Sequence, residues 1–145
     1  MMAFQLKPAL TTALILCALS VPSWAADPAG TWLTKDADAK VRIANCAGAW
    51  CGTIVWLKQP IDPATRKPPI DDKNRDETKR SRPILGLQIL IGFQPSGPAR
   101  WSGKIYNPDD GNTYDGNISL EDRSHLRVEG CLLAICDAEI WSRTK

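Results

Sequence analysis

The sequence is poor in the residues and patterns on which most enzymes and nucleic-acid-binding proteins depend. It has one histidine in 145 residues, and its 18 Lys and Arg residues are nearly balanced by 16 Asp and Glu residues. A near-neutral chain lacks the positive charge that binds nucleic-acid phosphates, so no nucleic-acid partner is expected. No Gly-x-Ser-x-Gly elbow occurs, and the chain is too small for a two-domain cofactor enzyme. The sequence therefore predicts no cofactor and favours a protein without catalytic activity.

The only extended apolar run lies at the start of the chain. Residues 10–21 are uncharged and apolar, Pro22 follows, and Ser23 and Ala25 are small residues at the two positions that a signal peptidase reads. The run is too short to cross a bilayer. We therefore expect a signal peptide over residues 1–25, cleaved before Ala26, with a retained anchor as the alternative. The mature domain, residues 26–145, would be periplasmic or secreted, with no membrane span.

Four cysteines remain after the predicted cleavage, and they form two pairs with identical spacing. Cys46 and Cys51 are separated by four residues, as are Cys131 and Cys136. An even number of cysteines in an exported protein indicates disulfides, and cysteines facing each other across a short hairpin can meet the required geometry. Three connectivities remain open at this point. A metal or redox site is the alternative, although zinc ligands are usually spaced more closely.

Most of the mature chain alternates apolar and polar residues with a period of two, which is typical of half-buried β-strands. Val128, for example, lies between Arg127 and Glu129. Eight such segments are present, at residues 31–34, 40–46, 51–57, 86–93, 101–105, 114–120, 125–131 and 136–143. Eight short strands joined by hairpins predict an all-β fold, an eight-stranded antiparallel up-and-down β-barrel, because a barrel closes its own edges. A two-sheet sandwich is the alternative.

One connection is much longer than the others. Residues 58–83 contain four prolines followed by a dense run of charge, with one helical turn expected near residues 74–80. Alternate turns of an up-and-down barrel lie at the same end, so turns 35–39, 58–82, 107–112 and 132–135 should share one rim. The long segment would then cover the mouth, where small barrels bind ligands. The two cysteine hairpins would lie at opposite ends, which favours the local pairs Cys46–Cys51 and Cys131–Cys136.

Several segments together resemble one exported bacterial family. They are Gly30-Thr31-Trp32, Val41-Arg42-Ile43, Cys51 to Leu57, Asp72-Lys73-Asn74, Arg80 to Leu87, Gly103 to Pro108, Asp110 to Tyr114 and Trp141-Ser142-Arg143. In this order they resemble the domain of unknown function 2147 over essentially the whole mature chain. The resemblance implies a small barrel of lipocalin-like topology with no established activity. Many similar members lack a second cysteine pair, which makes Cys131 and Cys136 an addition.

Seven residues are candidate ligand-binding residues. Arg80 and Arg82 would lie at the rim, where guanidinium groups suit carboxylate or phosphate; the alternative is that they pair with neighbouring acids and fix the loop. Tyr106, Asp110 and Tyr114, together with the neighbouring Asp109, could form an acid–base cluster, although Asn-Pro-Asp-Asp-Gly is also ordinary turn chemistry. The remaining candidates are Trp101 and Trp141, which would either line a site or fill the barrel.

Two further patterns give no site. Asp72, Asn74 and Asp76 have the spacing that opens a calcium loop, but Glu77 and Pro83 occupy the positions that need Gly and a bidentate Glu. No EF-hand and no metal are therefore predicted, and the charged run is interpreted as solvated and self-paired; a looser cation site with Asp71 is the alternative. The single histidine, His125, opens a predicted strand and is interpreted as a surface residue, because no nucleophile motif accompanies it.

The sequence leaves three functional hypotheses. The first is a non-enzymatic binding module that holds a small amphipathic or anionic ligand in the barrel. The second is a solid-core envelope interaction protein, because seven side chains could fill the interior completely: Ile89, Ile91, Trp101, Ile105, Tyr114, Ile118 and Val128. The third is a hydrolase using Asp110 or Asp72 as a base, for which the catalytic signature is missing. The sequence identifies no protein partner.

Overall fold

The computed structural model describes residues 26–145, which form one closed β-barrel. The predicted signal peptide lies outside the described residues. The strands are β1 (Gly30–Leu33), β2 (Ala39–Cys46), β3 (Ala49–Leu57), β4 (Gln88–Gly97), β5 (Arg100–Asn107), β6 (Asn112–Leu120), β7 (His125–Leu132) and β8 (Ile135–Arg143). A single 3-10 turn, Glu77–Lys79, lies in the long connection. The prediction of an eight-stranded antiparallel barrel is confirmed.

Every strand pairs with its neighbour in sequence, and β8 pairs with β1 to close the cylinder. The chain therefore turns alternately at the two ends of the barrel. Turns 34–38, 58–87, 108–111 and 133–134 lie at one end, which we call the loop end. Turns 47–48, 98–99 and 121–124 lie at the opposite end, beside both ends of the described chain. The predicted grouping of turns is thus correct.

The alternating sequence forms strands because each strand buries one face and leaves the other in water. In β2, Val41 and Ile43 are buried, whereas Arg42 and Ala44 are exposed. In β7, Leu126 and Val128 are buried on the same principle. Inward side chains from all eight strands form one core, in which the largest fully buried residues include Trp32, Phe93, Ile43, Leu90, Ile118 and Leu126.

The barrel interior is packed rather than hollow around Phe93. A Cβ atom placed on Gly103 would lie 2.7 Å from the Phe93 ring, and one on Gly116 would lie 2.8 Å from it. Gly52 makes room for Leu90 in the same way, with a contact of 2.7 Å. These three positions are glycine because large side chains from β4 occupy the space that a Cβ would need.

Strand β4 differs from the prediction, which had residues 86–93 as the strand and Ile91 in the interior. The register with β5 shifts between Ile91 and Gln94, and Gly92 adopts a left-handed backbone with φ of 63°. The bulge shifts the alternation of inward and outward side chains by one residue. Phe93 is therefore fully buried, whereas Ile91 is 39% exposed. The prediction for Ile91 is therefore wrong. Ile105 and Tyr114, also predicted in the interior, are only partly buried.

Both disulfides join the local pairs. Cys46 bonds to Cys51 with Cα atoms 5.9 Å apart, and Cys131 bonds to Cys136 with Cα atoms 4.0 Å apart. Each bridge crosses one hairpin, and the two hairpins lie at opposite ends of the barrel. The described residues contain no helix long and apolar enough to cross a membrane.

Candidate functional site

The long connection between β3 and β4 is folded against the barrel over its second half. Ile70 and Pro83 form a β-bridge, the Asp71 amide donates to the Arg82 carbonyl at 2.9 Å, and the Ile84 amide donates to the Pro69 carbonyl at 3.0 Å. Beyond this short ladder, the Gly86 amide donates to the Ile54 carbonyl of β3 at 2.8 Å. The two legs of the loop therefore run together before the chain enters β4.

A buried polar cluster holds the loop to β5. The Asp71 carboxylate, which is fully buried, accepts hydrogen bonds from the Tyr106 hydroxyl at 2.5 Å, the Asn74 amide at 2.8 Å and the Arg82 Nε at 2.9 Å. Asn74 also donates to the Tyr106 oxygen at 2.9 Å. A buried carboxylate is costly unless it is hydrogen-bonded and paired, and here both conditions are met.

Tyr106 lies on the outer face of the barrel. The regular register of β5 with β6 places Trp101 opposite Ile118 and Ile105 opposite Tyr114, so these side chains share the inner face. Tyr106 has the opposite parity and would be exposed in a bare strand. It is buried because Asp71, Asn74 and Arg82 cover it, which shows that the loop packs on the outer wall of the barrel as well as along its rim.

The cluster shifts the pKa values of both its acidic groups. Burial raises the pKa of Asp71, but the hydrogen bonds from Tyr106, Asn74 and Arg82, together with the Arg82 charge, outweigh it and hold the pKa below its usual range. Burial, and after it the hydrogen bond to Asp71, raises the pKa of the Tyr106 hydroxyl. The hydroxyl therefore stays protonated and the carboxylate stays charged across the neutral range.

The two rim arginines have partners within the loop. Arg82 binds Asp71, and its guanidinium lies 5.6 Å from the centre of the Tyr106 ring. Arg80 donates from Nε to the Asn74 carbonyl at 2.7 Å and lies 3.3 Å from the Glu77 carboxylate. This arrangement matches the alternative in which these arginines fix the loop.

The other candidate ligand-binding residues lie elsewhere. Asp110 accepts from the Tyr114 hydroxyl at 2.5 Å and from the Asn112 amide at 2.8 Å, within the β5–β6 turn. Trp101 and Trp141 are buried in the core, where the Trp141 ring nitrogen donates to Glu139. Of the seven candidates, the structure thus brings Arg80, Arg82 and Tyr106 together. The other four lie elsewhere in the barrel.

The residues with calcium-loop spacing serve the loop itself. Asn74 belongs to the polar cluster, and Asp76 caps the 3-10 turn by accepting from the Thr78 amide at 3.0 Å. His125 contacts Asp122 at 2.8 Å on the surface. Glu129 lies close to the sulfurs of Cys131 and Cys136, but these sulfurs are bonded to each other and offer no thiolate pair.

An open cleft of about 1160 Å³ lies at the loop end, between the first half of the long loop and the neighbouring turns. Its wall combines apolar side chains with charged ones. The apolar part is Leu57, Pro68, Pro69, Ile70, Pro83, Ile84 and Pro108. The charged part is Asp38, Lys58, Asp62, Lys67, Asp72, Lys73 and Asp109. None of the seven candidates chosen from the sequence lines this cleft.

Two cations in the cleft are uncommitted. Lys73 donates to the Asp109 carbonyl at 2.8 Å, but the ammonium groups of Lys58 and Lys67 have no ion pair within residues 26–145. Two of the carboxylates accept hydrogen bonds within their own turns: Asp38 from the Thr34 hydroxyl and Asp62 from the Ala64 amide. The cleft therefore offers apolar surface, two free positive groups and two carboxylates, Asp72 and Asp109, that likewise have no side-chain partner among the described residues. In the sequence, the signal for this cleft is the proline-rich composition of the segment.

Comparisons with known proteins agree with this fold. The sequence matches the family described as "Uncharacterized protein conserved in bacteria (DUF2147)" over residues 30–143, and the chain belongs to that family. A solved structure with the same fold is protein HP1028 from Helicobacter pylori, which is described as belonging to the lipocalin family. It has a TM-score of 0.69 and 19% identity, over 82% of this chain and 84% of that one. No curated protein matches.

Proposed function

We propose that this protein is an exported, non-enzymatic binding module, and that its ligand is a small amphipathic molecule with an anionic group held in the cleft at the loop end. This proposal moves the binding site from the barrel interior, expected from the sequence, to the outer rim. The observation that carries it is the pairing of an apolar wall with the unpaired ammonium groups of Lys58 and Lys67.

The composition of the cleft favours an amphipathic ligand over a simple inorganic anion. Four Asp and three Lys side chains line the wall, so a small multiply charged anion would meet no net positive field. A ligand with an apolar body gains by covering Ile70, which is 46% exposed, and Ile84 beside it. Its charged end then meets Lys58 or Lys67.

Export is the second part of the proposal. Two disulfides and membership in a bacterial family are consistent with an oxidising compartment. Together with the predicted signal peptide, they support a periplasmic or secreted protein.

The cleft can be tested with 1-anilinonaphthalene-8-sulfonate, a fluorescent amphipathic anion, in competition with dodecanoate. We expect the double variant K58Q/K67Q to bind the probe about tenfold more weakly, because it loses two charge interactions of about 0.5 to 1 kcal/mol each. Ile70→Asp should weaken binding as well. Lys35→Gln is the matched control, since Lys35 is an exposed rim lysine outside the cleft wall.

Two outcomes contradict the proposal. One is unchanged affinity in K58Q/K67Q. The other is loss of probe binding in Leu133→Ser, a variant of the exposed β7–β8 turn, because the probe would then bind that apolar tip instead of the cleft.

A further inference from the structure

Among the strands of residues 26–145, none pairs with one edge of β8 over most of its length. Its inner neighbour β7 pairs with it from Ile135 to Ser142, but β1 pairs only with Ser142 and Arg143. After Leu33 the chain enters the β1–β2 turn, where the Ala37 amide donates to the Thr34 carbonyl at 2.9 Å, and it no longer runs beside β8. Within the described part of the chain, residues 135–141 therefore have a strand on one side only.

The hairpin register fixes which backbone groups point out of this edge. Leu132 and Ile135 flank a two-residue turn and form a hydrogen-bonded pair, so Cys136, Ala138 and Ile140 occupy non-hydrogen-bonded positions opposite β7. Their amide and carbonyl groups face away from β7. Consistently, the Ala138 amide donates to the side chain of Asp137 at 3.0 Å instead of to a strand. These residues present a row of backbone groups that an extended chain can pair with.

The tip of the same hairpin is apolar and exposed. Leu133 is 92% exposed, Ile135 81% and Leu132 63%, whereas the core of the barrel is well packed. Proteins commonly protect open strand edges with charged side chains or proline; the tip of this hairpin has neither, and Asp137 and Glu139 are the acidic residues of the edge strand behind it. The Cys131–Cys136 disulfide crosses the hairpin just behind the tip and holds its edge in one conformation.

We propose that β8 binds an extended segment of another protein by β-strand addition, with the segment carrying basic side chains on one face. The basic character follows from Asp137 and Glu139, which lie on the same inward face of β8 as the buried Trp141, next to the outward backbone groups. Asp137 is exposed, whereas Glu139 is partly buried and also accepts a hydrogen bond from the Trp141 ring nitrogen. The apolar tip would receive an aliphatic residue at the end of the segment. Backbone pairing supplies the affinity and the acidic pair the selectivity.

The same two acids disfavour pairing between two copies of this chain. In an antiparallel arrangement of two β8 edges centred on Ala138, Asp137 of one copy would lie opposite Glu139 of the other. Like charges directly opposite each other destabilise a strand pair. A basic partner removes this repulsion, so the observations favour a different protein over self-association.

The test uses a labelled, end-blocked peptide of about eight residues in which lysine and valine alternate, with binding followed by fluorescence anisotropy at low salt. We expect saturable binding to the whole protein. Binding should be lost when alternate peptide nitrogens are methylated, which removes the donors and keeps the side chains. It should also be lost when glutamate replaces lysine. Amide exchange at Ala138 should slow when the peptide is bound.

Protein variants locate the site. Asp137→Lys should weaken binding at least about fivefold, whereas Glu121→Lys, which makes the same charge change in the turn 121–124 at the opposite end, should not change it. Ala138→Pro removes an outward amide without touching the β7 ladder and should abolish binding in a folded barrel.

Four results would overturn the proposal. The first is an absence of binding at millimolar peptide, because the proposed affinity comes from backbone and charge and not from a particular side chain. The second is binding that survives backbone methylation. The third is a dimer in sedimentation that Ala138→Pro dissolves. The fourth is binding to phosphatidylcholine vesicles that Leu133→Ser abolishes while the peptide binds no better than its glutamate counterpart, which would assign the tip to a membrane surface.

Discussion

Tyr106 and Asp71 lie 35 residues apart in the sequence and are joined by a hydrogen bond of 2.5 Å from hydroxyl to carboxylate, between the outer wall of the barrel and the loop that covers it. Asn74 and Arg82 complete the carboxylate's contacts. This relationship determines where the long loop lies, and through it the shape of the cleft along the rim.

Removing the buried carboxylate should destabilise the protein substantially. We expect Asp71→Ala to lower the free energy of unfolding by about 2 to 4 kcal/mol, because it leaves three donors without an acceptor; the partial exposure of Arg82 keeps the value below that of a fully buried pair. Urea denaturation measures this. The adjacent Asp72→Ala is the control and should change stability by less than about 0.5 kcal/mol, since Asp72 is exposed. Equal effects of the two variants would contradict the role of the cluster.

The cluster should also make stability depend on pH in the acid range. The pKa of Asp71 is lowered in the folded protein, so its contribution is present above the unfolded pKa of about 3.9 and is lost as the pH falls through the folded value. The stability advantage of the wild type over Asp71→Asn should therefore be full near about pH 6 and shrink below about pH 4. Thermal unfolding of both proteins across this range gives the difference, and an advantage that stays constant down to about pH 2 would count against the assignment.

The packed interior makes a prediction for the glycines around Phe93. Gly103→Ala should destabilise by about 1 to 3 kcal/mol, because the new Cβ would lie 2.7 Å from both the Phe93 ring and the Ile91 carbonyl oxygen. Gly97→Ala in the same sheet is the control, since its nearest neighbour would be 3.9 Å away. A neutral Gly103→Ala in thermal unfolding would mean that the interior has room to spare, and the barrel itself would again be a candidate ligand site.

A variant of Trp101 tests whether its ring is part of the core or part of a ligand-binding surface. It is 5% exposed and lies opposite Ile118 on the inner face, so Trp101→Ala should lower the free energy of unfolding by about 3 to 5 kcal/mol. A change below about 1 kcal/mol in denaturant unfolding would show that the ring contributes little to the core.

The strands and hairpins of the barrel could be predicted because the sequence patterns that indicate them are local. Period-two alternation such as Leu126 and Val128 identifies strands, and matched cysteine spacing identifies two hairpins. The bulge at Gly92 was missed, because a glycine within an alternating run does not reveal which neighbour will face inward. The partners of Tyr106 were missed for a different reason. Its burial depends on a contact with Asp71 from a distant loop, and alternation within β5 carries no information about that loop.

The unpaired edge of β8 was also beyond the sequence. The first strand was predicted as only four residues long, which matches its length in the structure, but the register that leaves residues 135–141 uncovered is set by where β1 turns at Thr34. Which lysines of the long loop remain without acids likewise depends on how the loop folds, and not on composition.

Pro28 and Arg143 leave the barrel side by side, at the end away from the long loop: the Arg143 guanidinium donates to the Ala29 carbonyl at 2.5 Å, and the Thr144 amide donates to the Thr31 carbonyl at 2.8 Å. A tether fused behind Lys145 would therefore hold the molecule by its base. In a sample immobilised in this way, the loop end points away from the support. Both the cleft and the open edge of β8 are then accessible to a binding partner in solution.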